Sequence, residues 1–361
     1  MRSRDSAICF VGPLPPPVHG FSEINRRMLL ALREKHFVLV FDMAPHSNQL
    51  SFVNTWWRFL VYALRNKPSA LYLALSGGSR QWVDLAFLLV ARLRGIPIFV
   101  HHHSFSYLNK KIPSASLCLR FLRSATHIVL CSCMGEKLIS QYALDQRNLR
   151  VLSNAAFLED IDCPEINTPL TSSLRLGFLS NITAEKGIHE FFSVLRKASS
   201  VGLALKGVIA GPVDASIRDS FAASLAASAN VRHIGPVYGA DKKSFFANID
   251  VLFFPTRYPN EAEPVTILEA LGHGVPVIAF DRGCIGGMLP DSAGQVINYS
   301  AHFVEQAIAA IRPLAESPAK LANARRAAKA SFEVSLTTNK ALLDELIAEI
   351  GGARSYQQVP S

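Results

Sequence analysis

Two blocks of alternating apolar strands and amphipathic helices, separated by one break, constrain this chain more than any other feature. In the first block, "AICFV" (7–11), "FVLVFDM" (37–43), "ALYLAL" (70–75), "IPIFVHH" (96–102) and "HIVLCS" (127–132) read as strands. Helical periodicity falls between them, at "FSEINRRMLLALREK" (21–35) and "QWVDLAFLLVARLRG" (81–95). Continuous apolar strands between helices predict a parallel sheet covered on both faces. The stretch "LEDIDCPEINTPLTSSL" (158–174) breaks the pattern and reads as a linker. Alternation then restarts with strands at 174–180, 203–211, 231–235, 249–256 and 275–280. Helices are expected near 187–200, 214–228 and 241–248, and from 264.

A chain of 361 residues exceeds one ordinary core. The expected division is a first domain over 1–160, a linker over 161–173 and a second domain over 174–335. Residues 336–361 hold a late helix, "NKALLDELIAEI" (339–350), and a frayed tail. The fold class is therefore α/β: two Rossmann-like, doubly wound parallel sheets. Such sheets bind ligands outside the carboxyl ends of their strands, here in an expected cleft between domains.

The net charge of +9 is uneven. Residues 1–165 carry 19 Lys/Arg against 11 Asp/Glu, and residues 166–361 carry 18 against 17. A basic half points to an anionic partner. No zinc-finger spacing or RNP-like motif is present, so nucleic acid is not expected. Aromatic, apolar and basic residues mix in "NTWWRFLVYALRNKP" (54–68) and "LNKKIPSASLCLRFLRSA" (108–125). Such helices fit an anionic membrane surface, and equally a core-facing stripe with solvated charges. No apolar run is long enough to span a bilayer, and no signal peptide is read. Six cysteines without framework spacing suggest a reducing compartment, and a cytoplasmic location is expected. Cys131 and Cys133 read as packing residues in a buried strand running into a turn.

Four segments could carry chemistry. In "NEAEPVTILEALGHGVPVIA" (260–279), Pro264 suits a helix's first turn. The next N–H groups, at Val265 and Thr266, then form an anion site with the helix dipole. Glu269 lies within that helix and could accept two hydrogen bonds from a ribose diol, while Glu261 lies ahead of it. Spacing alone also fits a solvated helix with two surface glutamates. In "FLSNITAEKGIHEFF" (178–192), Lys186 follows a strand end and could neutralise a phosphate. In "VGPLPPPVHGFSEIN" (11–25), Gly20 permits close backbone approach, but no G-x-G-x-x-G is present. In "FVHHHSFSY" (99–107), neighbouring histidines on a strand point to opposite faces, so no metal is assigned. The Asp-x-Asp pair of "EDID" (159–162) reads as solvated and is assigned no metal either.

"PNEAEPVTILEALGHGVPVIA" resembles the Glu-x7-Glu signature of retaining glycosyltransferase family four, of the GT-B class. "FLSNITAEKGI", "GVIAGP" and "VRHIGPVYGADKKSFFANIDVLFFPT" resemble further segments of that family, and "VGPLPPPVHGFSEIN" resembles its N-terminal glycine loop. The resemblance covers most of 7–350 and is strongest in the second half, and it implies that the late helix of 336–361 packs back toward the first domain. It implies a metal-independent hexosyltransferase acting with retention on a nucleotide-diphosphate sugar, which is a substrate and not a cofactor. Glu269 would hold the ribose hydroxyls and Glu261 the donor sugar. Lys186 and the amides near Val265 and Thr266 would meet the diphosphate. Gly20 would lie against the donor across the cleft, and His103 would face the sugar. Asn181 stands where the family usually has arginine, which leaves more of the phosphate charge to Lys186; Glu263 is a lesser candidate beside Glu261.

The resulting expectation is sugar transfer to a sugar or lipid-linked acceptor in polysaccharide or glycolipid synthesis, at the cytoplasmic face of a membrane. Two rival classes stay open. One is a nucleotide-sugar epimerase or hydrolase on the same scaffold. The other is a non-catalytic protein that binds anionic surfaces.

Overall fold

The computed structural model describes residues 7–16, 20–44, 50–159, 161 and 173–352. Most of the expected linker, Asp160 and Asp162 of the acidic pair, and the expected frayed tail from 353 lie outside the described residues. The chain divides into two units, Met1–Phe157 with Thr337–Ser361, and Leu158–Leu336.

The first unit holds β1 (Ile8–Gly12), β2 (Val38–Asp42), β3 (Ala70–Leu75), β4 (Ile98–His102), β5 (Thr126–Val129) and β6 (Leu149–Val151). They form one parallel sheet in the order β2-β1-β3-β4-β5-β6. The steps β2 to β3, β3 to β4 and β4 to β5 all run the same way along it. Right-handed crossovers then place their helices, Leu50–Arg65, Gln81–Leu93 and Pro113–Phe121, on one face. Adjacent members of that trio pack side by side. β1 and β3 are wholly buried, as their unbroken apolar runs require.

"HIVLCS" is not a strand to Ser132: only Thr126–Val129 find ladder partners on β4 and β6, and Ser132 opens the helix Ser132–Tyr142. β6 was not anticipated, because three half-exposed residues carry no periodic signal.

A 35-residue helix, Pro318–Gly352, closes the described chain. From Thr337 onward it belongs to the first unit. There Asn339 Oδ1 accepts the Ser153 N–H at 2.9 Å, and Glu349 takes both arms of Arg150 at 2.9 Å.

The second unit holds β7 (Leu174–Leu179), β8 (Leu205–Ala210), β9 (Val231–His233), β10 (Val251–Phe254), β11 (Val277–Phe280) and β12 (Gly294–Ile297). Its parallel order is β12-β11-β10-β7-β8-β9. β12 also went unforeseen, since "GQVI" is short and mixed. Phe178, Phe191, Phe192, Phe253 and Phe280 fill the core. Each such side chain contributes about 1.5–3 kcal/mol on burial. At the head of β10 the buried Asp250 carboxylate holds two guanidiniums, those of Arg175 and Arg325.

Strand order reverses between β7 and β10. In an open α/β sheet the loops leaving two such strands diverge and leave a crevice at their carboxyl ends.

Candidate functional site

The loops leaving β7 and β10 are stitched together at that crevice. Gly187 has φ +88°, and a Cβ there would lie 2.0 Å from the Pro255 carbonyl oxygen. Only glycine lets the β7 loop approach so closely. The Arg257 N–H bonds the Glu185 carbonyl at 2.7 Å, and Arg257 pairs with buried Glu190 at 2.9 Å.

This closure brings Lys186 and Glu261 together. Lys186 Nζ donates to Glu261 Oε2 at 2.6 Å and lies 4.7 Å from the centre of the Tyr258 ring. Thr256 Oγ1 donates to the same carboxylate oxygen at 3.1 Å. Their side chains are 22% and 12% exposed, so the pair faces solvent over a limited area. The family resemblance implies separate tasks for these residues, one on the diphosphate and one on the sugar. In the structure they bond to each other.

The helix Val265–Gly272 follows directly. Pro264 is not in its first turn, as expected, but one residue ahead of it with extended backbone. The reason is local: Ile267 N–H already bonds the Pro264 carbonyl at 3.0 Å, so the ladder starts there. The amides of Val265 and Thr266 precede that bond, and both residues are half-buried. Glu263 turns inward and is buried. Asn181 is exposed just beyond β7.

Glu269 is not a solitary carboxylate. Lys242 Nζ reaches both its oxygens, at 2.8 and 2.9 Å. Lys242 sits on the helix Gly239–Ala247 and was missed by sequence reasoning. Tyr258 and Thr256 were missed as well. "FFPTRYPNEAE" does place both a few residues ahead of Glu261 after a strand, which was the available signal. For Lys242 there was none, because 27 residues separate it from Glu269.

In the first unit the three histidines divide by strand alternation. His101 and His103 lie together, with ring centres 3.9 Å apart. His102 points the other way, onto Tyr107 at 2.7 Å and His127 at 3.0 Å. The Leu122 carbonyl can only accept, so His127 Nε2 donates to it at 3.0 Å. His127 Nδ1 is then the acceptor for His102 Nε2–H, and His102 Nδ1 accepts from the Tyr107 hydroxyl. Both rings are neutral in this chain. Burial pushes the His127 pKa down to about 4 and holds His102 well below its usual value. His102 is thereby a structural residue.

Burial likewise pushes His103 down to about 3, so it is a neutral imidazole at ordinary pH. Among the described residues its buried Nε2 has no hydrogen-bond partner. Phe21 packs on its ring at 4.8 Å. Gly20, the preceding residue, is exposed at the start of the helix Gly20–Lys35 with open space where a Cβ would stand. Gly20 and His103 are thus near one another through Phe21.

Comparison with known proteins bears on the second unit first. Residues 166–331 match the family described as glycosyl transferases group 1. That match holds Asn181, Lys186, Glu261, Val265, Thr266 and Glu269, while Gly20 and His103 lie outside it. Among curated proteins the chain is similar to a sulfoquinovosyl transferase of Arabidopsis thaliana, 25% identical. The alignment covers 54% of this chain and 38% of that enzyme, so the chain spans well under half of that relative's length. Among solved structures it is similar to a lipopolysaccharide outer core galactosyltransferase, WaaB, in apo form. That likeness has a TM-score of 0.73 and 13% identity, over 95% of this chain and 99% of the other. HepE of Anabaena, solved with UDP-glucose, aligns with a TM-score of 0.68 and 15% identity, over 95% and 99%. The fold is the two-domain α/β GT-B architecture of glycosyltransferases.

Proposed function

We propose that this chain transfers a sugar from a nucleotide-diphosphate donor to an acceptor hydroxyl, with retention of configuration and without a metal. One observation carries the reading. Lys186 and Glu261 bond to each other where strand order reverses between β7 and β10, and the helix Val265–Gly272 begins a few residues after Glu261. The group 1 match over the same residues supports it, as does the likeness to HepE of Anabaena, solved with UDP-glucose.

In this reading the bond from the sugar's anomeric carbon to the diphosphate oxygen breaks. The acceptor oxygen bonds to that carbon on the same face, and its proton passes to the leaving diphosphate. Lys186 and the amides of Val265 and Thr266 stabilise the developing phosphate charge. Glu269 accepts the ribose hydroxyls after Lys242 yields. Glu261 orients the donor sugar and holds Lys186 in place until the diphosphate competes for it. A neutral His103 serves as a hydrogen-bonding group to the sugar, not as an imidazolium. Positioning of the acceptor supplies the rest of the rate. The acceptor proposed is a lipid-linked sugar or growing polysaccharide at the cytoplasmic membrane face, in keeping with the basic first half.

A thermal-shift screen of UDP, GDP, ADP and their sugars tests this. One nucleoside diphosphate should raise the melting temperature, and its sugar conjugate should be consumed only when an acceptor is supplied. Donor turnover without acceptor would favour an epimerase or hydrolase. No response to any nucleotide would remove the transferase reading.

A further inference from the structure

Residues 43–135 contain ten Lys/Arg and a single acid, Asp84. That acid is buried, and it accepts the Ser76 N–H at 2.8 Å instead of facing solvent. Burial pushes its pKa up to about 7, which weakens even its inward charge. Of the ten cations, all but Arg80 are exposed. The helices Leu50–Arg65, Gln81–Leu93 and Pro113–Phe121 lie within this stretch and cover one face of the first unit's sheet. The outer surface of these three helices is therefore cationic with no exposed carboxylate; the next helix on that face, Ser132–Tyr142, carries one, Glu136, beside Lys137.

The same layer exposes large apolar side chains in rows. On Leu50–Arg65, Val53, Trp57 and Leu64 share one helical stripe at spacings of four and seven. On Gln81–Leu93, Trp82, Leu89 and Leu93 do the same at seven and four. Trp57 is 57% exposed, Trp82 52% and Leu93 86%. Arg58, Arg92 and Arg120 are exposed on these helices too. Indole rings and aliphatic side chains bordered by cations match the boundary between acyl chains and anionic headgroups. A nucleic acid would satisfy the charge, but it offers Leu93 and Val53 nothing apolar to enter. Among the described residues no helix is long and apolar enough to cross a membrane, so contact would be at the surface.

We infer that the outer face formed by Leu50–Arg65, Gln81–Leu93 and Pro113–Phe121 docks on an anionic lipid bilayer, with Trp57, Trp82 and Leu93 inserting between headgroups. The inference names a surface for the acceptor's membrane but does not depend on sugar transfer, since lipid binding and nucleotide binding are read separately.

The full chain is sedimented with vesicles of phosphatidylcholine alone and of phosphatidylcholine with one-third phosphatidylglycerol. It should bind the second and not the first, with a blue shift of tryptophan fluorescence. Added salt should weaken binding. Arg58→Glu and Arg120→Glu should each cut partitioning roughly tenfold. Trp57→Ser with Trp82→Ser should abolish the blue shift. All four positions are exposed, so melting temperature should hold, and any UDP binding should be unchanged. Equal binding to both vesicles, no binding to either, or variants that bind like the parent would overturn the inference. So would retention on a nucleic acid with no vesicle binding. Loss of UDP binding with vesicle binding intact would count against sugar transfer alone.

Discussion

Lys186 and Glu261 stand 75 positions apart in sequence and 2.6 Å apart in space. The cation at the β7–β10 crevice is therefore already neutralised by a carboxylate. In the proposed reading an incoming diphosphate competes with Glu261 for that amine, and its advantage is the greater negative charge. Because the pair is half-buried, bulk salt screens it less than a surface pair.

Lys186→Ala should weaken UDP or its cognate diphosphate by about ten- to a hundredfold. A lost charged hydrogen bond costs roughly 1.5–3 kcal/mol. Isothermal titration decides it, and an unchanged affinity would take Lys186 out of the site.

Glu261→Gln keeps the shape and releases Lys186. Nucleotide affinity should hold or tighten while kcat falls, a split that loss of fold would not produce. If kcat is normal, Glu261 has no part in the chemistry.

Glu269→Ala should lower nucleotide affinity by a similar one to two orders of magnitude. Lys242→Ala should leave it within a few-fold, because in the proposed reading the ribose takes over the carboxylate oxygens that Lys242 holds. A large loss in the Lys242 variant would instead make that lysine a ligand contact.

Gly187→Ala should disable the crevice without touching any charged group. The added methyl meets the Pro255 carbonyl, and φ +88° is strained for alanine. UDP binding should drop along with melting temperature. An intact site in this variant would show that the loops do not need their close approach.

His127 gives a pH prediction. Its folded pKa of about 4 lies below the ordinary 6.5. Between these values the unfolded chain binds the extra proton, so stability is full above 6.5 and declines as pH falls toward 4. Melting curves across that window should be flatter for His127→Phe, whose overall stability should also be lower because His102 loses its acceptor.

The strand blocks, the break between them and the helices were legible because each depends on local periodicity. A buried parallel strand must be apolar along its length, as "ALYLAL" is, and glycine or proline must punctuate it. Lys186 and Glu261 were legible as candidates because each lies in a loop that follows a strand, and Glu269 because it lies in the short helix that Pro264 introduces. Short mixed strands such as β6 and β12 carried no such pattern, since their place is set by neighbours and not by their own side chains.

Tertiary structure alone decided the partners. β7 and β10 are adjacent only because the chain reverses its direction across the sheet, and nothing in either loop's composition encodes that adjacency. The Lys186–Glu261 bond, the Lys242–Glu269 bond and the His102–His127 chain all arise from such long-range registers. Composition likewise told that the first half was basic. Only the layering of helices on one sheet face placed the cations and indoles of residues 43–135 outward and Asp84, the one acid of that stretch, within.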